Sequence, residues 1–278
     1  ACSGRLTKDW REIGAIKEQI NDQEQRFINS IENRDTINRN FKKYPSFEDL
    51  KETYNHISIP STWHIGNLNT LWNEDEVVKT GPFGAILKSK EFVTQGIPVL
   101  AVGNVKEGFL DLTDTHLDYI TEIKAEELRS YRLKTGDIVF TRSGTIGRSS
   151  VIPENADGWM MSYHLLRVRV NNQYIYPQFL HYVFSGCIFT KEYIFDSIIG
   201  TTRPGINTSI LANMPIPIPT QLEQAEIIRR VDALFKYATR IESKIANTHE
   251  RIEEITQSIL HQAFTGKLIT PNEASVEV

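Results

Sequence analysis

The sequence predicts an α+β fold, a mixed domain of short strands and a few helices, followed by a long C-terminal coiled-coil helix. Three observations carry this reading. Residues 220–264 contain no Gly or Pro and hold an apolar stripe at alternating 3–4 spacing. Residues 63–219 contain four short β-rich runs set among turn residues. The run starting at Pro177 has helical patterning with proline at its first position. Short strands mixed with isolated helices describe an α+β domain.

The helix is the plainest element. Pro215, Pro217 and Pro219 punctuate the chain, Thr220 stands at the N-cap position, and Glu223 follows as a capping-box partner. Ile227, Val231, Leu234, Ala238, Ile241, Ile245, Thr248, Ile252, Ile255 and Ile259 then keep a heptad rhythm. At 1.5 Å per residue such a helix is roughly 65 Å long, and Gly266 sits where a C-cap belongs. So narrow a stripe suits a partner helix better than a globular body.

A second helical stretch runs over 9–41, with Ile13, Ile16, Ile20, Phe27, Ile31 and Ile37 on one side and Gln23 and Arg34 interrupting it. Residues 42–60 read as a linker with a helical turn near 46–54. The strands expected in the central region are Ile97–Val102, Asp137–Thr141, Ser149–Ile152 and Leu165–Val170, the last alternating apolar residues with Arg167 and Arg169. A helix is expected over Pro177–Phe189. The domains expected are therefore 1–60, a helical segment and linker; 61–219, the mixed domain; 220–266, the long helix; and 267–278, a tail. Ala1-Cys-Ser-Gly-Arg-Leu and Ala263-Phe-Thr-Gly-Lys-Leu share one pattern. The chain thus begins as though a matching helix had just ended, as one unit cut from a two-unit protein would. Ala1 in place of an initiator Met agrees with a processed product or fragment.

Composition narrows the function classes. Charged residues make up 24% of 278, with a net charge of -4, and mean hydropathy is -0.32, as in globular proteins. No apolar run approaches the roughly 20 residues of a membrane span. Cys2 and Cys187 lack redox or metal spacing and read as free thiols of a reducing, cytoplasmic compartment. The region 61–219 holds 14 Lys+Arg against 16 Asp+Glu, so any nucleic-acid face must come from local clustering or from a partner.

Catalytic motifs are missing. Gly200-Thr-Thr-Arg-Pro-Gly205 has phosphate-loop glycine spacing, but Ile206 stands where the lysine is needed. No dinucleotide fingerprint follows a strand, and the seven histidines have no metal-ligand spacing, so neither cofactor nor metal is expected. Asp111, Glu122 and Lys124 imitate the Mg²⁺-holding set of a restriction-type nuclease, one alternative reading. A solvated acidic face explains them more simply. A coiled-coil adaptor binding only protein is the other alternative.

Leu133 to Arg148 is the most distinctive polar segment. A Lys-Thr-Gly-Asp turn feeds an apolar strand, which delivers Arg142, Ser143, Thr145 and Arg148 onto a Gly-punctuated loop. Two guanidinium forks beside hydroxyls suit phosphate oxygens and guanine edges. A tight turn whose polar groups satisfy one another would have the same composition. Thr202 and Arg203 form a similar, weaker loop, and Asn104 and Lys106 follow the first strand. Lys79-Thr-Gly-Pro-Phe-Gly84 reads as a structural turn with Pro82 and Phe83 buried.

In order, these segments resemble the specificity subunit of type I restriction-modification enzymes. The matching pieces are Ile59-Pro-Ser-Thr-Trp63 with Ile65-Gly-Asn-Leu68, Thr80-Gly-Pro-Phe-Gly84, Gly96-Ile-Pro-Val-Leu100 with Gly103-Asn104, and Leu133 to Arg148. Ser162-Tyr-His-Leu-Leu166, Gly200 to Ile206, Pro215 to Gln224 and the Ala-x-Thr-Gly-Lys-Leu ending complete the set. The resemblance implies a target recognition domain that binds double-stranded DNA and a long helix that spaces two such domains. It also implies docking of modification methyltransferase subunits, with restriction subunits in the full complex, and no catalytic residues in the chain itself. With the loop chemistry above, DNA contacts are expected at Arg142, Ser143, Thr145, Arg148, Thr202, Arg203 and Lys106. Helix contacts fall to Ile227, Val231, Leu234, Ile241, Ile245, Ile252, Ile255 and Ile259. One recognition domain is present where two are usual, so either a second half or a homodimer completes the unit.

Overall fold

The computed structural model describes residues 2–37, 50, 52–54, 58–71, 77–83, 86–113, 117–170, 172, 174–198 and 205–268. The chain divides into two compact units, Ala1–Ile228 and Arg229–Val278.

Among the described residues of the first unit, ten short strands make three sheets. They are β1 (His64–Gly66), β2 (Val78–Thr80), β3 (Phe92–Val93), β4 (Ile97–Leu100), β5 (Asp118–Ile120), β6 (Ile138–Thr141), β7 (Ser149–Val151), β8 (Met160–Met161), β9 (Leu165–Val168) and β10 (Ile216–Ile218). One four-stranded sheet runs β2-β9-β6-β7, all antiparallel. The other runs β3-β5-β4-β8 and ends on a parallel β4–β8 pair. β1 and β10 form a two-stranded ribbon in which Ile65 faces Pro217. The proline run is therefore partly strand. A ribbon leaves one edge of each strand unpaired, where a residue without N–H does no harm.

Period-2 alternation places the core. Leu100, Val139, Met161 and Leu165 belong to one buried cluster between the four-stranded sheets, together with Leu133 and Ile152. Their chain neighbours Val99 and Met160 point to the opposite face, where Ala125 and Leu128 cover them. Phe140 likewise points away from the inter-sheet cluster and meets Phe184 edge-on at 5.6 Å, on helix α2 (Pro177–Gly186). Each such buried aliphatic or aromatic side chain contributes about 1.5–3 kcal/mol. β6 and β9 are thus covered on both faces, and all eight of their residues are buried. This corrects the alternation expected for Leu165–Val170. Arg167 is only 3% exposed and reaches the Ser130 carbonyl. Arg169 forms a two-point ion pair with buried Asp137 at 2.6–2.7 Å.

The helix α1 (Gly14–Ile37) is separated from a turn at Lys8–Arg11, which splits the stretch expected over 9–41. Ile20 is buried, Ile13 is exposed, and residues 38–41 lie outside the described set. In the expected 46–54 turn, the Tyr54 N–H donates to the Leu50 carbonyl; most of the remainder lies outside the described residues. The helix expected over Pro177–Phe189 closes earlier, because Cys187 is extended. Helix α3 (Ile188–Ile198) follows directly.

Cys2 and Cys187 are joined as a disulfide with Cα atoms 5.6 Å apart. This corrects the expectation of free thiols. A separation of 185 residues hides the pairing from any spacing argument.

The long helix α4 spans Gln221–Phe264, as the stripe predicts. Its end is the expected one: Gly266 takes a φ of 70° and the Lys267 N–H donates to the Gln262 carbonyl at 2.8 Å. Gly4, in the matching N-terminal pattern, has a φ of 69°. Its start is not. The Thr220 hydroxyl is buried without a hydrogen-bond partner, and Glu223 does not cap. Instead the fully buried Glu223 carboxylate accepts from the Thr7 hydroxyl (2.7 Å), the Trp63 indole N–H (2.8 Å) and the Arg11 guanidinium. Buried Gln224 donates to the Tyr174 and Pro219 carbonyls and accepts from the Tyr176 N–H. Three charge-assisted bonds outweigh one cap, so tertiary partners take the side chain.

Candidate nucleic-acid interface

The β2-β9-β6-β7 sheet gathers three loops at one end. Thr80 pairs with Leu166, and Thr141 with Leu165. The segment leaving β2, the loop leaving β6 and the turn entering β9 therefore converge. Gly81 makes the approach possible: a Cβ there would lie 2.1 Å from the Ser162 carbonyl oxygen. The Gly81 N–H donates to the Leu165 carbonyl, and Ser162 N–H donates to Leu100 O at 2.8 Å, so both loop bases are tied to strands.

The β6–β7 loop is organised by Thr141. Its hydroxyl donates to the Thr145 carbonyl and accepts from the Arg148 N–H at 3.1 Å. Gly144 and Gly147 take φ values of 77° and 96°, with open space where a Cβ would stand. The backbone is thus fixed from inside while Thr145 is exposed and Arg142, Ser143 and Arg148 are half-buried. The alternative of a turn that consumes its own polar groups holds for Thr141 but not for the two arginines. Arg142 is held through its backbone: its N–H donates to His164 O (3.1 Å) and its carbonyl accepts from Ile206 N–H (2.9 Å). Its guanidinium lies 5.9 Å from the Phe83 ring centroid.

Ser143 Oγ and His164 Nδ1 are 2.7 Å apart. Burial, and next the Arg142 charge, push the His164 pKa below its ordinary value, which keeps the imidazole neutral near pH 7. The His164 and Tyr163 rings are tilted by 37° with centroids 3.7 Å apart. Phe83 is 52% exposed, correcting the expectation that it is buried; Pro82 is the buried residue. Phe83, Tyr163 and His164 join the cluster although no polar motif marks them. The available signals are Thr80-Gly-Pro-Phe-Gly84 and Ser162-Tyr-His164, each beside a strand.

Arg148 faces a different space. With Lys191, Ile146, Phe184 and Phe195 it lines a groove of about 400 Å³, whose one carboxylate is Glu107. Lys106 is not brought to Arg142. It sits in a small hairpin closed by Val105 and Leu110, 4.0 Å from Asp111. Asn104 is spent on the Ala101 N–H and the Asp111 carbonyl. Thr202 and Arg203 lie outside the described residues.

The nuclease alternative finds no geometry here. Asp111 binds Thr113, Glu122 pairs with Arg132 at 2.6 Å, and Lys124 pairs with Glu91 and Glu127. Among the described residues no cluster of His, Cys, Asp or Glu could hold a metal, and no helix is long and apolar enough to cross a membrane.

On α4, Ile227 is buried, whereas Leu234, Ile241, Ile245, Ile252, Ile255 and Ile259 are 40–58% exposed; Val231 is half-buried. Ile241, Ile245 and Ile252 also line one shallow apolar surface with Thr248.

Comparisons with known proteins agree on one family. The chain is 32% identical over 213 residues to the type I restriction enzyme EcoBI specificity subunit of Escherichia coli, covering 76% of this chain and 43% of that one. It is 28% identical over 221 residues to the MjaVIII specificity subunit of Methanocaldococcus jannaschii, covering 77% and 48%. The chain thus spans less than half the length of these relatives. A chain from a structure of type I R-M system assembly shares the fold with a TM-score of 0.56 at 16% identity, covering 95% of this chain and 60% of that one. The HsdS subunit from Thermoanaerobacter tengcongensis does so with a TM-score of 0.51 at 16% identity, covering 73% and 50%. The family model for the type I restriction modification DNA specificity domain matches residues 75–251, and the chain belongs to that family.

Proposed function

We propose that this chain reads one half of a bipartite DNA target for a type I restriction-modification system and carries out no chemistry itself. The supporting observation is the loop cluster: Arg142, Ser143 and Thr145 stand on a backbone fixed from within, and residues 141–148, 162–164 and 81–83 contain no carboxylate. Guanidinium forks and hydroxyls on a rigid loop are suited to base edges and phosphates. Arg148 adds a second cation beside Lys191. Lys106 is a peripheral phosphate contact, and Thr202 and Arg203 belong to the same reading. The acidic balance of the chain leaves much of the phosphate neutralisation to methyltransferase subunits that close around the duplex.

The exposed stripe of α4 is the second half of the reading. Ile241, Ile245, Ile252, Ile255 and Ile259 pack against a matching helix, from a second recognition half or from a second copy, and the pair docks the methyltransferase subunits. Restriction subunits join in the full complex, and the assembly works in the cytoplasm. Residues 61–219 are the exchangeable recognition domain, residues 1–60 and 220–266 are the helical frame, and 267–278 are a tail.

Grafting a different recognition domain between Ile59 and Pro219 tests this. Sequencing methylated DNA from cells carrying the graft should show one half-site changed and the spacing kept, or both half-sites changed together if the unit is a homodimer. An unchanged target refutes the assignment.

A further inference from the structure

Phe83 and Tyr163 are large aromatic side chains, 52% and 43% exposed, on backbone tied down on both sides. The Phe83 carbonyl accepts from the Ile86 and Leu87 N–H groups, and the adjoining Gly81 and Ser162 are held to Leu165 and Leu100. Folding gains little from leaving such rings in water, and single exposed aromatics are common. These two differ in their placement. The Phe83 ring centroid lies 5.9 Å from the Arg142 guanidinium, and the Tyr163 ring lies against the His164 that is bonded to Ser143. Together they flank Arg142, whose backbone is pinned at both its N–H and its carbonyl.

We infer that Phe83 and Tyr163 form an apolar reader of a pyrimidine 5-methyl group, the thymine methyl, next to a guanine held by Arg142. The inference rests on the DNA-reading role proposed above. Arg142, its backbone pinned at both ends, carries a guanidinium fork suited to guanine O6 and N7. In the major groove a thymine neighbouring that guanine presents its methyl group, and an aromatic face is an apolar partner for it. Cytosine presents an amino donor there and no methyl, so an apolar ring face gains no methyl contact from it. The cluster therefore reads a two-base step, with charge and apolar surface each taking one base.

The test selects bound sites from a random duplex library with the full chain and methyltransferase subunits, then replaces each selected thymidine singly with deoxyuridine. The selected half-site should contain a thymine beside a guanine. Deoxyuridine at that position should weaken binding about 3- to 10-fold, and at other thymines much less. In the Phe83→Ser, Tyr163→Ser double variant the thymidine preference should vanish while the guanine preference persists. Equal binding of both nucleosides by the unaltered chain, or a selected site without that step, overturns the inference and leaves DNA reading intact. Discrimination that survives in the double variant does the same. No enriched sequence at all overturns both.

Discussion

Residues Gln221–Ile228 and Arg229–Phe264 belong to one helix, yet they treat polar and apolar side chains in opposite ways. In the first two turns Glu223 and Gln224 are wholly buried, as is Ile227. In the later turns Ile245, Ile252 and Ile255 are more than half exposed. The polar pair is buried because this chain supplies every partner: Thr7, Arg11 and Trp63 for the carboxylate, and backbone groups for the amide. The apolar stripe is exposed because the described residues supply no cover for it. The first turns are finished by the fold, and in the proposed assembly the later turns carry a seam for another helix.

The contrast breaks most readily at the seam. Ile245→Lys with Ile252→Lys would bury two unpaired charges in any helix pair, weakening association by several kcal/mol or abolishing it. Light scattering with methyltransferase or a partner half present should register the loss, while the circular dichroism of the body stays unchanged. Assembly that survives the double change removes the stripe from the interface. The converse change is Glu223→Ala, which strands the buried Trp63 indole N–H and takes the carboxylate from Arg11. It should destabilise the body by about 3–5 kcal/mol, read as a lower denaturation midpoint. If Glu223→Ala leaves stability untouched, the hub is not what anchors the helix.

A third change sharpens the comparison within the body. Buried His181 sits between the hydroxyls of Ser149 (3.0 Å) and Ser185 (3.4 Å), and burial pushes its pKa down to about 4. The native state holds it neutral, while the unfolded chain takes up a proton below about pH 6.5. Its contribution is therefore intact at pH 7 and is lost as pH falls from 6.5 towards 4, by about 2–3 kcal/mol. Urea unfolding of the wild type and His181→Gln at pH 7 and 4.5 should show a steeper loss in the wild type. Parallel losses would contradict the assignment.

What the sequence discloses follows from how local each signal is. The 44-residue helix is legible to its last residue because its period lies wholly within the segment. Its capping was misread for the same reason: Thr220-x-x-Glu223 is a local motif, and Thr7 and Trp63 lie 216 and 160 residues away. Of the ten strands among the described residues, the four expected include the three that are four residues long, and β7, which runs on into the apolar Ile152; the others, two or three residues long, are too short to show alternation. In the candidate interface the arginine loop was visible through its glycines. Phe83, Tyr163 and His164 lie in segments that the family resemblance marks, but their approach to Arg142 depends on the pairing of β2 and β6 with β9.

Arg142 tests the central claim most directly, with Arg148 as its comparison. Equilibrium binding to a selected duplex and its single-base variants, at two salt concentrations, separates base reading from phosphate holding. Arg142→Ala should relax preference at one guanine position by about 1–3 kcal/mol. Arg148→Ala should weaken all sequences alike and lower the salt slope by about one unit. Full affinity and unaltered sequence preference in the double variant would contradict the account, and the loop would be structural only.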